Sequence, residues 1–87
     1  MGIQEHSLEM RGMPRRELEE YFLSIGGRQV EQGLYLGPNW EVDLSEEWIC
    51  TLGSLQIPAT KVTFRIKEED WPEIVRAFRF CFLSAGG

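Results

Sequence analysis

Apolar residues along this chain recur in two periods, and the points where the period changes divide it into elements. From Ile3 to Arg11 they alternate, with His6, Leu8 and Met10 in one phase and Glu5, Ser7, Glu9 and Arg11 in the other. That is the period of a half-buried strand. Gly12-Met13-Pro14 breaks the alternation, and Pro14 suits a first helical position, where its missing N–H is not needed. Leu18, Tyr21, Phe22 and Ile25 then stand at i, i+3, i+4 and i+7, one apolar stripe of a helix. Arg15–Glu19 and Arg16–Glu20 are i,i+4 pairs on its polar side, although arginines in a first turn oppose the helix dipole. Gly26-Gly27 ends the helix, because glycine takes the left-handed cap conformation at little cost.

From Arg28 the period becomes two. Val30, Leu34 and Leu36 share a phase, Gly37-Pro38-Asn39 makes a tight connection, and Trp40, Val42 and Leu44 alternate with Glu41 and Asp43, so a hairpin is expected. Ser45-Glu46-Glu47 turns the chain again. Trp48, Cys50 and Leu52 form the next expected inward row, and Gly53-Ser54 marks a bulge or bend before Leu55 and Ile57. Pro58 punctuates. Val62, Phe64 and Ile66 alternate with Lys61, Thr63, Arg65 and Lys67, the clearest strand in the chain. Asp70 with Glu73 fits an N-cap and capping box, and Trp71, Ile74, Val75, Phe78, Cys81, Phe82 and Ala85 fall on one broad helical face. The expected order is β-α-β-β-β-β-α, an α+β fold in which an antiparallel sheet carries two helices packed on one face.

Length changes this picture only by limiting it. With 87 residues, the chain is read as a single domain, 1–87, with one marginal core. The apolar fraction of 43% suffices for folding without staples. Nine basic against fourteen acidic residues argue against nucleic acid, whose binding needs cations to displace phosphate counterions, and against an anionic membrane. No apolar run reaches the roughly 20 residues of a membrane span. The N-terminus lacks the basic start and apolar stretch of a signal peptide, so a cytoplasmic location is expected. Cys50 and Cys81 lack disulfide-framework or zinc spacing and are expected to be buried structural thiols.

Candidate chemistry is sparse. His6 lies in the apolar phase of the first strand, without a second histidine for a metal site, and reads as a hydrogen-bonded histidine near the sheet end. Glu41, Asp43, Glu46 and Glu47, and then Glu68, Glu69, Asp70 and Glu73, cluster without the spaced oxygens and glycine turn of a calcium loop. Strand alternation accounts for Glu41 and Asp43, and the helix dipole for the second cluster. No nucleophile elbow or phosphate-cradling glycine loop is present, so no enzymatic activity and no cofactor are expected.

Two features call for more than a structural account. Phe80 points opposite Phe78 and Phe82 at about 100° per residue, with Leu83 at the edge of the same sector and Arg76 and Arg79 beside it. These four form a candidate partner-binding strip. The chain also ends Leu83-Ser84-Ala85-Gly86-Gly87, and a terminal Gly86-Gly87 resembles the tail of ubiquitin-like sulfur carriers, whose last glycine is adenylated and converted to a thiocarboxylate. Two glycines after a helix are also ordinary caps.

The segments Met10-Arg11-Gly12, Glu17-Leu18-Glu19-Glu20-Tyr21-Phe22-Leu23, Gly26-Gly27, Gly37-Pro38-Asn39-Trp40 and Arg79 to Gly87 resemble a small prokaryotic family. It is the C-terminal domain of proteins related to the molybdopterin-synthase sulfur-carrier subunit, the MoaD-related proteins. The resemblance implies a TATA-binding-protein-like fold of order β-α-β₄-α and a setting in molybdenum-cofactor or sulfur-transfer metabolism. It supplies no catalytic residues, and the carrier domain often fused in front is not seen here. The fold name implies no DNA binding, since the outer sheet face is not basic. That face is expected to carry Glu9, Arg11, Glu31, Tyr35, Glu41, Asp43, Thr51, Lys61, Thr63 and Arg65. The expected role is a non-enzymatic binding or accessory domain with a protein partner or a homo-oligomer. The alternative is a sulfur carrier activated at Gly87.

Overall fold

A computed structural model describes residues 2–86, with side chains through Phe82. The elements follow in the order β1 (Ile3–Arg11), α1 (Arg15–Ser24), β2 (Arg28–Glu31), β3 (Leu34–Leu36), β4 (Trp40–Leu44), β5 (Trp48–Leu52), β6 (Leu55–Lys67) and α2 (Trp71–Gly86). The fold is α+β, with a six-stranded antiparallel open sheet and two helices. Its scaffold is the 13-residue β6. On one side β6 pairs with β1, from Ile3↔Lys67 to Arg11↔Ala59. On the other it pairs first with β4, from Trp40↔Ile66 to Leu44↔Val62, and then with β5, from Trp48↔Ala59 to Leu52↔Leu55. Beyond β4 lie β3 and β2, giving the order β1-β6-β4-β3-β2.

The core forms where the inward phases of the strands meet the helices. Val42, Leu44, Val62, Phe64 and Ile66 lie under Leu18 and Phe22 of α1 and Phe78 of α2. Phe22 and Phe78 stack at 5.8 Å, and Phe64 meets Phe78 edge-on at 5.3 Å. Each such buried aromatic contributes roughly 1.5–3 kcal/mol. Trp40 closes this core at the end where α1 stops. Gly26, at φ +98°, and Gly27, whose N–H reaches the Phe22 carbonyl at 2.9 Å, terminate α1 as expected.

The structure corrects several expectations, each through local register. The stretch expected as one strand after Arg28 is two, β2 and β3, because Gly33 takes φ +82° and turns the chain. A bulge between Gln29 and Glu31 accompanies this turn. Tyr35, expected on the outer face, is 1% exposed in the core opposite Val42. Leu34 and Leu36 are half-buried on the other face.

Trp48, Cys50 and Leu52 do not form an inward row. Between the pairs Leu44↔Val62 and Trp48↔Ala59 the chain advances four residues on one strand and three on β6. The extra residue at Ser45–Glu47 reverses the phase, so β5 continues the outer face. Gly53-Ser54 is the two-residue turn of the β5–β6 hairpin, with Gly53 at φ +61°. Pro58 does not interrupt β6. Its carbonyl accepts the Gly12 N–H at 2.7 Å, so its nitrogen also faces the β1 side, away from β5.

Candidate functional site

Phe78 anchors α2 against the sheet, and two positions further on Phe80 falls on the opposite side of the helix, 78% exposed. Arg76 and Arg79 are exposed with it. The structure thus brings these three expected binding residues onto the solvent face of α2. The Leu83 side chain lies outside the described residues. Gly86 is the last residue of α2, and Gly87 lies outside the described residues.

Between α1, α2 and the Pro38–Asn39 connection lies an open cleft of about 240 Å³. Tyr21, Ile25, Trp40 and Ile74 supply apolar walls, and the carboxylates of Asp70 and Glu73 join the lining. It is smaller than the roughly 300 Å³ at which small-molecule sites begin, and suits a single inserted side chain. Burial raises the Tyr21 and Tyr35 phenols above the ordinary value of 10.0, so both hydroxyls are neutral near pH 7.

The helix-free sheet face is organised around Arg65. Its guanidinium meets Glu41 at 2.6 Å, Glu5 at 3.3 Å and Asp43 at 3.6 Å. The register causes this convergence, since Arg65 is the direct cross-strand partner of both Glu5 and Glu41. Beside it Ser7 and Thr63 are hydrogen-bonded at 3.2 Å. One guanidinium offsets part of the repulsion among three carboxylates, so the cluster stays net negative, and pairs this exposed add little to stability. Alternation places each group outward but does not identify which strands are neighbours, so the cluster was not visible in the sequence.

His6 is not the hydrogen-bonded histidine expected. Its ring stacks on Trp71 at 3.9 Å and 5°, and its buried Nε2 has no partner among the described residues. Neither thiol is fully buried: Cys50 is half-exposed and Cys81 exposed. Cys50 is turned outward by the phase reversal before β5, and Cys81 lies at the edge of the apolar face of α2, near the Tyr21 phenol. Among the described residues no group of three or more His, Cys, Asp or Glu side chains could hold a metal ion. No helix there is long and apolar enough to cross a membrane.

An open antiparallel sheet on one long central strand, two helices on one face and a charge-paired opposite face define the class of α+β domain to which the chain conforms. Residues 6–87 match the archaeal MoaD-like protein family, and the chain belongs to that family. No curated protein matches it.

Proposed function

We propose that this chain is a non-enzymatic, cytosolic accessory domain that binds a protein of sulfur-transfer or molybdenum-cofactor metabolism through the outer face of α2. The observation that carries this reading is Phe80. A large aromatic ring 78% exposed on the solvent side of a well-anchored helix offers apolar area for a partner to cover. Arg76 and Arg79 flank it in a chain of net charge −5, so the strip is a local cationic site and favours an acidic partner surface with an apolar pocket. Aromatic and arginine side chains are the types that dominate binding energy. Membership of the archaeal MoaD-like family supports the metabolic part of this reading.

Membership also supports a second reading, a sulfur carrier activated at Gly86-Gly87. Because α2 extends through Gly86, that chemistry requires its last turn to unwind before the tail can enter an adenylating site.

Calorimetric titration of the chain with a purified MoaD-type sulfur carrier tests both. Phe80→Ala is expected to weaken binding at least tenfold, about 1.4 kcal/mol, with unchanged thermal unfolding. Equal affinity of wild type and Phe80→Ala would remove the α2 face from the proposal. A terminal thiocarboxylate in the native protein, and function lost on deletion of Gly86-Gly87, would favour the carrier reading.

A further inference from the structure

We propose that the free edge of β5 pairs antiparallel with the β5 of a second copy of this chain, about a two-fold axis at Cys50. The proposal concerns a different surface from α2 and does not depend on the accessory-domain reading.

The first observation is the shape of the ribbon. The β1 pairing ends at Arg11↔Ala59, and β3 covers β4 only as far as Leu34↔Asp43. Beyond the bond from the Gly12 N–H to the Pro58 carbonyl, Cys50–Leu52 and Leu55–Ile57 therefore continue past both neighbours as a short two-stranded arm. Isolated two-stranded hairpins are marginal in water, so an arm of this kind gains from a further strand.

The second observation is charge. From Trp48 to Thr60 no side chain is charged, the longest such run in a chain where 26% of residues are. Two molecules of net charge −5 meet with least repulsion at this surface. Exposed edges are ordinarily guarded by charge or proline. The β6 side of the arm has Pro58, whose nitrogen faces that way, whereas the β5 edge has no such guard.

The register follows from hydrogen-bond alternation. Leu52 and Leu55 close a two-residue turn and are a hydrogen-bonded pair, which makes Cys50↔Ile57 and Trp48↔Ala59 bonded pairs as well. The pair Ile49↔Pro58 is then non-bonded, as the missing proline N–H requires. The N–H and C=O groups of Ile49 and Thr51 consequently point away from β6. Full antiparallel overlap of two five-residue β5 strands places Ile49 opposite Thr51 of the second copy and satisfies all four groups on each strand. Trp48 then meets Leu52 of the other copy on one face, with the two Cys50 residues facing each other at the axis. This is an isologous interface, and it closes at two chains.

The buried area is adequate for a weak dimer. Trp48 (39% exposed), Ile49 (58%) and Leu52 (46%) on β5 together expose roughly 300 Å² of apolar surface per chain. Doubled, with the strand edges added, this stays below the roughly 1,200 Å² at which stable interfaces begin, the size of a weak contact. Dissociation constants on the order of 10–100 µM are expected.

Sedimentation equilibrium on the full chain tests the proposal. The expected result is a monomer–dimer equilibrium that Ile49→Lys and, separately, Thr51→Arg weaken at least tenfold while circular dichroism is unchanged. In a Cys81→Ser background, diamide is expected to link the dimer through Cys50. Two thiols lose two protons and two electrons to the diazene as the S–S bond forms. The facing residues of a non-bonded pair lie about 4.5 Å apart at Cα, within disulfide range. A chain that stays monomeric at about 1 mM, well above the expected constant, would overturn the proposal. So would a dimer that both charged variants leave intact, or one that diamide fails to link although Cys50 is reactive.

Discussion

Trp40 owes its burial to what two neighbours lack. A Cβ on Gly27 or on Gly37 would overlap the indole, and the Gly37 N–H bonds the Trp40 carbonyl at 2.8 Å. Gly37→Ala should therefore cost about 1–3 kcal/mol by forcing the ring off its seat. A lower urea midpoint and red-shifted tryptophan emission would record it, and an unchanged midpoint would contradict the packing described. The inward direction of Trp40 was legible in the alternation Trp40, Val42, Leu44. That of Tyr35 was not, because a bulge at Gln29–Glu31 and the turn at Gly33 set its phase, and no periodicity marks either. Phe80 was legible for the opposite reason: helical direction follows from local spacing alone.

Among the elements, α1 shows how a conflict in sequence is resolved by distant structure. Its first turn begins with two arginines, and Pro14 provides no side-chain cap. The Glu47 carboxylate, arriving from the extra-residue segment before β5, accepts the Arg15 N–H at 2.8 Å and puts negative charge at the positive helix end. Arg15 is further held by Glu19 at 3.4 Å, the i,i+4 pair the sequence implied. Glu47→Ala should destabilise the fold by about 0.5–2 kcal/mol, whereas Glu47→Gln, whose amide oxygen stands where the carboxylate oxygen was, should keep most of that stability. Thermal melts of the two variants would separate capping from a purely electrostatic effect. That segment also turns Trp48, Cys50 and Leu52 outward, so one added residue both caps a helix and makes the uncharged arm. Sequence periodicity located the turn at Ser45–Glu47 but not its parity, and parity decides which face every later residue of β5 occupies.

At the scale of the whole molecule, one sheet face is covered by helices that share a single aromatic cluster, and the other carries Arg65 and the carboxylates that the strand register brings to it. Because Phe22, Phe64 and Phe78 touch one another across three elements, neither helix has a core of its own. Unfolding monitored by tryptophan emission and by far-ultraviolet circular dichroism should give coincident transitions. A separate early loss of helix signal would show α2 detaching as a unit. The order of elements was largely legible because it depends on period alone. The strand neighbours and the Arg65 cluster were not, since they depend on pairings between distant segments.

The central position of β6 also bears on how the chain is made. Ser7 and Thr63 touch although they lie 56 positions apart in sequence, so β1 is made well before β6, the strand it pairs with. Until β6 has formed, β1 has no strand partner among the described residues, and β4 has only the short β3 beside it. Closing that interval is the entropically expensive step, and it comes late. Synthesis from the N-terminal side therefore delivers β1 and β4 before the strand that joins them, and the native sheet closes only once residues 55–67 are available.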